Sequence, residues 1–394
     1  MINESFSKLS GRSLFILLLI AIGSGCFLLT YIMGNNVMWS VWNIPTMTPH
    51  FADLRVFTGV ITSIEAGYDP LFNNPGDPWN RELNHPRIVQ TIIVALGLRE
   101  AHTTIIGVIM ISLFLLSLIY SMNYYGKLTA IILIIVTFSP ATMLGIERAN
   151  NDLLIFAIVA LTIILSRLSG LLASCTILLS ATLKLFPIFS ILIFLRYQKS
   201  KFVIYSILVS IIFVGYLYVN LDDLPQIFSS TQKGVTVFSY GSRSYSLDVE
   251  LLVAMLPCFI VLIINAVFFL TAKYHDLSQD HLASYNLDAF RVGAGIYIGT
   301  FFLGNNWSYR LIFVIFTIPF LIECLKKPPL RVWSYVTLSS IIFSFWSIRF
   351  DDIPLSGALD EVANWLMLSG LFWILLNSVP IYLHPSKIRL RNND

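Results

Sequence analysis

Apolar residues run along this chain in long blocks with short polar breaks between them. Crossing the roughly 30 Å hydrocarbon layer of a bilayer takes about 20 apolar residues in a helix. Blocks of that order occupy 14–34, 103–122, 128–144, 152–167, 170–195, 202–220, 251–272, 289–304, 310–325, 332–348 and 363–383. They predict an all-α fold: a polytopic transmembrane helical bundle of about 11–13 membrane helices, some short or broken, forming a single domain over 1–394. The run 170–195 is interrupted at Lys184-Leu185-Phe186-Pro187, which predicts two half-helices meeting at a break. Such breaks survive at membrane depth only where the freed backbone faces protein or a wet cavity. No soluble domain, low-complexity tract or internal repeat stands out.

Two hydrophilic stretches, 35–102 and 221–250, are too long for turns and read as outer loops. Within the first, Phe57, Val60, Ile61 and Ile64 recur at helical spacing and predict a juxtamembrane helix over 53–66. Gly67 and Pro70 supply its stop signal. A second short helix over 87–98 carries Ile88, Ile92, Ile93 and Leu96. Both are too short to cross and are expected to lie at the interface, apolar face down. If 87–98 stays on the surface, Lys127 and Arg167 fall on the cytoplasmic side, the arrangement that the positive-inside rule favours. It places 35–102 and 145–152 together on the outer face.

Composition agrees with the pattern. Hydrophobic residues make up 56% of the chain and charged residues only 12%, with mean hydropathy +0.77. Soluble domains carry about 25% charged residues, so a water-facing surface of this size could not be covered. The net charge of +3 is small. Its cations gather in short segments: Lys8 and Arg12; Arg196, Lys199 and Lys201; Lys326, Lys327 and Arg331; Lys387, Arg389 and Arg391. By the positive-inside rule these mark a multi-pass protein with both termini cytoplasmic. No basic stripe for nucleic acid is present. Cys26, Cys175, Cys258 and Cys324 have no CxxC spacing and read as small apolar-run residues. The first block follows a basic start and lacks an obvious cleavage site, so it is expected to be retained as a span.

Ionisable groups at the membrane edge are costly, and four clusters therefore invite a functional reading. Asp53-Leu54-Arg55 opens the first juxtamembrane helix, and Glu65, Tyr68, Asp69 and Pro70 close it. The plain reading of Asp53 is a helix cap; the chemical one is a general base. Asn84-His85-Pro86-Arg87 is either a solvated turn or a site where His85 and Arg87 meet an anion. In Glu147-Arg148-Ala149-Asn150-Asn151-Asp152 an Asn caps the next span, or the helix N-terminus holds an anion. Asn305-Asn306-Trp307-Ser308-Tyr309-Arg310 reads as an interfacial aromatic belt with a snorkelling Arg. Lys184 interrupts an apolar helix and calls for a partner, because an unpaired buried charge costs several kcal/mol. There is no HExxH, no paired His at ligand spacing, no P-loop and no GxGxxG.

Taken in order, these segments resemble the GT-C superfamily of membrane glycosyltransferases, most closely its bacterial polyprenol-phosphate-mannose-dependent mannosyltransferase-like members. One span precedes a large outer loop with an acidic residue, Asp53, in an interfacial helix. Gly67-Tyr68-Asp69-Pro70-Leu71-Phe72 follows, and Asn84-His85-Pro86 stands where relatives often have Tyr-Pro-Pro. Glu147-Arg148-Ala149-Asn150-Asn151-Asp152 is similar to an Arg-Gly-Asn-x-Asp segment, Lys184-Leu185-Phe186-Pro187 to a Lys-x-x-Pro break, and Asn306-Trp307-Ser308-Tyr309-Arg310-Leu311 to an Asn-x-x-Tyr-Arg-Leu stretch. The likeness covers roughly 14–325. Ala149 departs from the usual Gly, Arg87 from a common second Pro, and the outer loop has no Asp-x-Asp pair.

The resemblance implies transfer of a hexose, mannose or similar, from a polyprenyl-phosphate donor to a glycan or lipid-linked acceptor, on the periplasmic face of the inner membrane and with inversion. Asp53 would be the general base. Arg148, Lys184 and Arg310, with Arg87 and His85 behind them, would receive the donor phosphate. Glu147, Asp152, Asn150, Asp69, Tyr68 and Tyr309 would orient these groups or bind sugar, with Trp79 as a further stacking surface. Membrane lipids and the two substrates are the expected partners. No cofactor is expected, and a weak divalent-metal dependence stays open. The rival readings are a flippase for lipid-linked sugars, which predicts matched inverted repeats, and a polysaccharide polymerase or ligase, which predicts more arginine in a late outer loop than Arg243 provides.

Overall fold

A computed structural model describes residues 10–124, 126–234, 236–242, 251–271 and 285–383. Lys8, Arg243, Lys387, Arg389, Arg391 and the 243–250 end of the second outer stretch lie outside them. Among the described residues every regular element is helical except one antiparallel pair of two-residue strands, Ser239–Tyr240 and Asn306–Trp307. That pair, with the short helix Leu224–Ser230, shows that 221–250 is more than a loop.

Among the described residues, four helices are long and apolar enough to cross a membrane: Gly11–Met33, Glu100–Tyr120, Lys199–Val219 and Ser356–Asn377. A fifth span results if Lys127–Thr137 and Pro140–Arg148, which meet at 52°, are taken together. The 11–13 spans expected from hydropathy are therefore not all present as full-length helices, and the reasons are local. Pro140 has no backbone N–H to continue the preceding helix, and Ser139 caps a new one by accepting from the Thr142 N–H. Lys184 adopts an extended conformation and ends Gly170–Leu183. The run 310–325 divides into a 3₁₀ helix, Ser308–Thr317, and Ile318–Cys324. Phe186–Arg196 is also 3₁₀. A 3₁₀ helix rises about 2.0 Å per residue against about 1.5 Å for an α-helix, so these short segments reach further than their lengths suggest.

Consecutive segments run back and forth between two polar ends. At one end the Arg12 guanidinium donates to the Met122 carbonyl, and Asn286 joins Asn123 to Glu323. There Asp288 pairs with Arg167 at 3.2 Å and Arg196 at 3.0 Å. The other end holds Asp53, Asn150, Asp152, Lys184 and Arg310. Between the two ends, Phe156 stacks on Phe316 at 4.2 Å and meets Phe114 edge-on at 4.9 Å. This apolar contact holds Asp152–Leu165 against Ser308–Thr317 and so fixes Asp152 relative to Arg310.

The first outer segment folds onto the polar end. The helix expected at 53–66 is two, Ala52–Thr58 and Val60–Glu65, separated at Gly59. A Cβ on Gly59 would lie 2.5 Å from the Gly76 carbonyl, so two glycine backbones touch where the 69–86 loop crosses the helix. Asn74 pins that loop, donating to the Val56 carbonyl at 3.0 Å and accepting from Ser63 Oγ at 2.7 Å. The second helix is Arg87–Leu96, ended by left-handed Gly97. At about 15 Å it cannot cross. Val89 and Ile93 pack on Val60 and Ile61, while Ile88, Val94 and Leu96 stay exposed.

Candidate functional site

At this polar end the elements enclose a cavity of about 700 Å³. Asp53 and Arg81 line one side, with His85 and Lys184 close by, and Arg310 and Arg148 complete the charged wall. Trp79, Trp307 and Tyr309 supply aromatic surface. Trp307 and Tyr309 stack in parallel, their centroids 6.0 Å apart.

Three consecutive residues organise these groups. Ala149 sits at φ 45°, a left-handed conformation that ends Pro140–Arg148 and turns the chain into the run. Asn150 Oδ1 accepts from the Asp152 N–H at 2.9 Å and closes the turn into the next helix, whose cap position Asn151 occupies without a side-chain cap bond. Its Nδ2 also donates to Asp53 Oδ2 at 2.7 Å. Asn151 Oδ1 accepts from Lys184 Nζ at 2.5 Å. Asp152 lies 2.7 Å from Lys184 Nζ through Oδ1 and 3.3 Å from Arg310 Nε through Oδ2. One residue thus holds the carboxylate on one wall, and the next two hold the cations on the other.

The charges do not cancel. Asp152 is buried behind the cations, whereas the side chains of Lys184 and Arg310 keep 14% and 16% exposure where they line the cavity. Two cations face one carboxylate, which leaves one positive charge available. Arg310 is held further by Asn306 Oδ1 at 2.5 Å and lies over the Phe186 ring at 4.5 Å. The belt reading of this segment is therefore corrected: Arg310 is an inward ion-pair member, not a snorkelling residue.

His85 is fixed as a neutral imidazole. Lys184 has only donors, so the Asn151 oxygen must face it and the Asn151 amide must face His85 Nε2, at 2.8 Å. Nε2 is then the acceptor and Nδ1 carries the proton, buried and without a partner. Burial pushes the imidazole down to about 3, and Lys184 adds to the effect.

Asp53 is not a helix cap. Phe51 occupies the cap position with φ 59°, and no side chain caps the helix. The Asp53 carboxylate accepts from Asn150 and from Arg81 Nη1, the latter at 3.2 Å. Arg81 is itself gripped by buried Asp77, with Nη2 to Oδ1 at 2.9 Å and Nε to Oδ2 at 3.1 Å. Burial opposes the Arg81 charge, but Asp77 and Asp53 outweigh it and hold the guanidinium above its ordinary value.

Arg148 lines the cavity with its charge matched by Glu147 at 2.9 Å. Together they tie down the 45–47 segment, Arg148 donating to the Pro45 carbonyl at 2.9 Å and Glu147 accepting from the Met47 N–H at 3.1 Å. Arg87, Asp69 and Tyr68 are not among the residues lining the cavity. Arg87 bridges Asp69 at 2.9 Å and Asp223 at 2.8 Å, and Tyr68 is exposed. Sequence reading passed over Arg81, Asp77, Asn151 and Asn306 as site residues. Asn151 and Asn306 lay inside the polar runs already singled out. Asp77 and Arg81 sit in an irregular loop with no periodicity to mark them. Among the described residues no group of three or more His, Cys, Asp or Glu is arranged to hold a metal ion.

Compared with known proteins, the chain matches no family model, no curated protein and no solved structure.

Proposed function

We propose that this protein is a multi-pass membrane glycosyltransferase of GT-C-like architecture, taking a hexose from a polyprenyl-phosphate donor. The observation that carries the reading is the division of charge across the cavity. The Asp53 carboxylate stands on one wall and the net-positive Lys184–Asp152–Arg310 group on the other, joined through Asn150, Asn151 and Asp152.

The acceptor hydroxyl attacks the anomeric carbon, and Asp53 takes its proton. The bond from that carbon to the phosphate oxygen breaks, its electron pair leaves with the lipid phosphate, and the carbon inverts. Negative charge grows on the departing phosphate in the transition state, where fixed cations are most effective. Lys184 and Arg310 are fixed in this sense, since each already has its orienting partners. A base must come within hydrogen-bond reach of the proton it removes. Asp53 keeps 22% side-chain exposure in the cavity wall and can offer its remaining lone pairs there. Trp79, Trp307 and Tyr309 provide flat surfaces for sugar rings. The cavity end faces the outer side of the inner membrane and the basic end faces the cytoplasm, as does each terminus.

The test is transfer from defined polyprenyl-phosphate hexoses to a glycan acceptor in membranes carrying wild type or Asp53→Asn. Transfer by wild type and its loss in a folded Asp53→Asn protein supports the reading. Full activity in Asp53→Asn removes Asp53 as base. No transfer by wild type from any such donor, combined with movement of the intact donor across vesicle membranes, makes the protein a flippase instead.

A further inference from the structure

We propose that Arg81 is a positioning residue for Asp53: it fixes the carboxylate in the geometry for proton removal without itself contacting the donor. This inference rests on the glycosyl-transfer reading.

Buried Asp77 accepts from Arg81 Nε and Nη2, and also from the Arg81 backbone N–H at 3.0 Å and the Trp79 N–H at 3.1 Å. Its two oxygens are thus spent within its own loop, on one guanidinium and two backbone N–H groups. The Trp79 ring lies 4.8 Å from the Arg81 guanidinium carbon and restricts the group from one face. Nη2 also donates to the Ala52 carbonyl, tying the loop to the turn before Asp53. What remains is Nη1, which meets Asp53 Oδ1 at 3.2 Å. A planar fork held on several sides leaves its last donor little freedom. Asn150 holds the other carboxylate oxygen, so Asp53 is gripped from two elements at once.

The neighbourhood of Asp53 suits this role. Glu147 closes Pro140–Arg148 nearby, Tyr309 approaches from Ser308–Thr317, and Lys184 lies across the cavity, engaged with Asp152. Arg81 is the one cation in hydrogen-bond contact with Asp53 among the described residues. Arg55, on the same helix, turns away to Glu100 at 2.7 Å. A purely structural salt bridge would need only Asp77. The contact to Asp53 comes in addition to the loop closure that the Ala52 carbonyl supplies.

The test is steady-state transfer by the full-length protein in membranes, with wild type, Arg81→Gln and Arg81→Lys compared. Misplacing a reacting group by about 1 Å costs roughly 100-fold in rate. Arg81→Gln is expected to lose kcat on that scale while donor KM stays unchanged. Arg81→Lys keeps the charge without the fork and is expected to fold with an intermediate kcat and the same KM. Free guanidinium is expected to restore part of the rate to Arg81→Gly. A rise in donor KM at constant kcat overturns the inference and makes Arg81 a donor-binding residue. So does an Arg81→Lys protein with wild-type kcat. If wild type itself transfers no hexose, the glycosyl-transfer reading falls and this inference with it; if wild type is active and the variants are unaffected, this inference alone falls.

Discussion

Asp152 is the residue on which the site's charges depend most directly. It is buried, and both Lys184 and Arg310 rely on it. Removing one partner from a buried ion group costs about 3–5 kcal/mol because the remaining charge stays uncompensated. Asp152→Asn is therefore expected to lower the detergent-solubilised protein's unfolding temperature sharply, and adding Lys184→Gln is expected to recover part of the loss. His85 gives a pH signature. Its folded value of about 3 lies below the ordinary value of about 6.5. Its contribution to stability is full above about pH 6.5 and declines as pH falls from there towards about 3, because only the unfolded chain takes up the proton. The slope is at most about 1.4 kcal/mol per pH unit. His85→Gln is expected to flatten that part of a thermal-stability profile; an unchanged profile would show that His85 takes up its proton equally in the folded and unfolded chain. Ala149 carries a left-handed conformation at φ 45°. Such a conformation costs a residue with a Cβ about 1–2 kcal/mol, so Ala149→Gly is expected to keep activity and to raise stability slightly in the same assay.

Among the elements, the contact between the first juxtamembrane helix and the 69–86 loop is the most constrained. Gly59 and Gly76 meet backbone to backbone, and any Cβ at 59 strikes the Gly76 carbonyl. The loop carries Asp77, Trp79 and Arg81, so displacing it moves the groups that hold Asp53. Gly59→Val is expected to abolish the proposed transfer and to increase proteolytic cleavage within 69–86; normal activity would mean that the loop can shift without disturbing Asp53. The break at Lys184 works in the opposite sense. It was visible in the sequence because a cation and a proline interrupt an apolar run. Its consequence was not, since the following 3₁₀ segment begins by placing Phe186 beneath Arg310.

The whole molecule divides into a cavity end and a basic end, and this division predicts sidedness. In a protein stripped of its native cysteines, Ser229→Cys is expected to react with a membrane-impermeant maleimide on intact cells. Lys199→Cys is expected to react only after the membrane is opened. The reverse pattern would invert the topology and move the cavity to the cytoplasm.

Hydropathy alone settled that the chain is helical and rich in segments able to enter a membrane, because burying apolar surface with satisfied backbone hydrogen bonds leaves few other solutions. It also marked polar groups at the edges of those segments or within them, among them Asn150, Asp152, Lys184 and Arg310. It could not count full-length helices, since Pro140, Lys184 and the 3₁₀ stretches divide runs that hydropathy reads as continuous. Nor could it pair the charges. Arg87 and His85 are two residues apart, yet one bridges two surface carboxylates while the other is buried beside Lys184 through Asn151. Arg81 and Asp53 are twenty-eight apart and in contact. Hydrogen bonds and ion pairs act over a few ångströms in space, and only the packing of helices and loops decides which residues come within that distance.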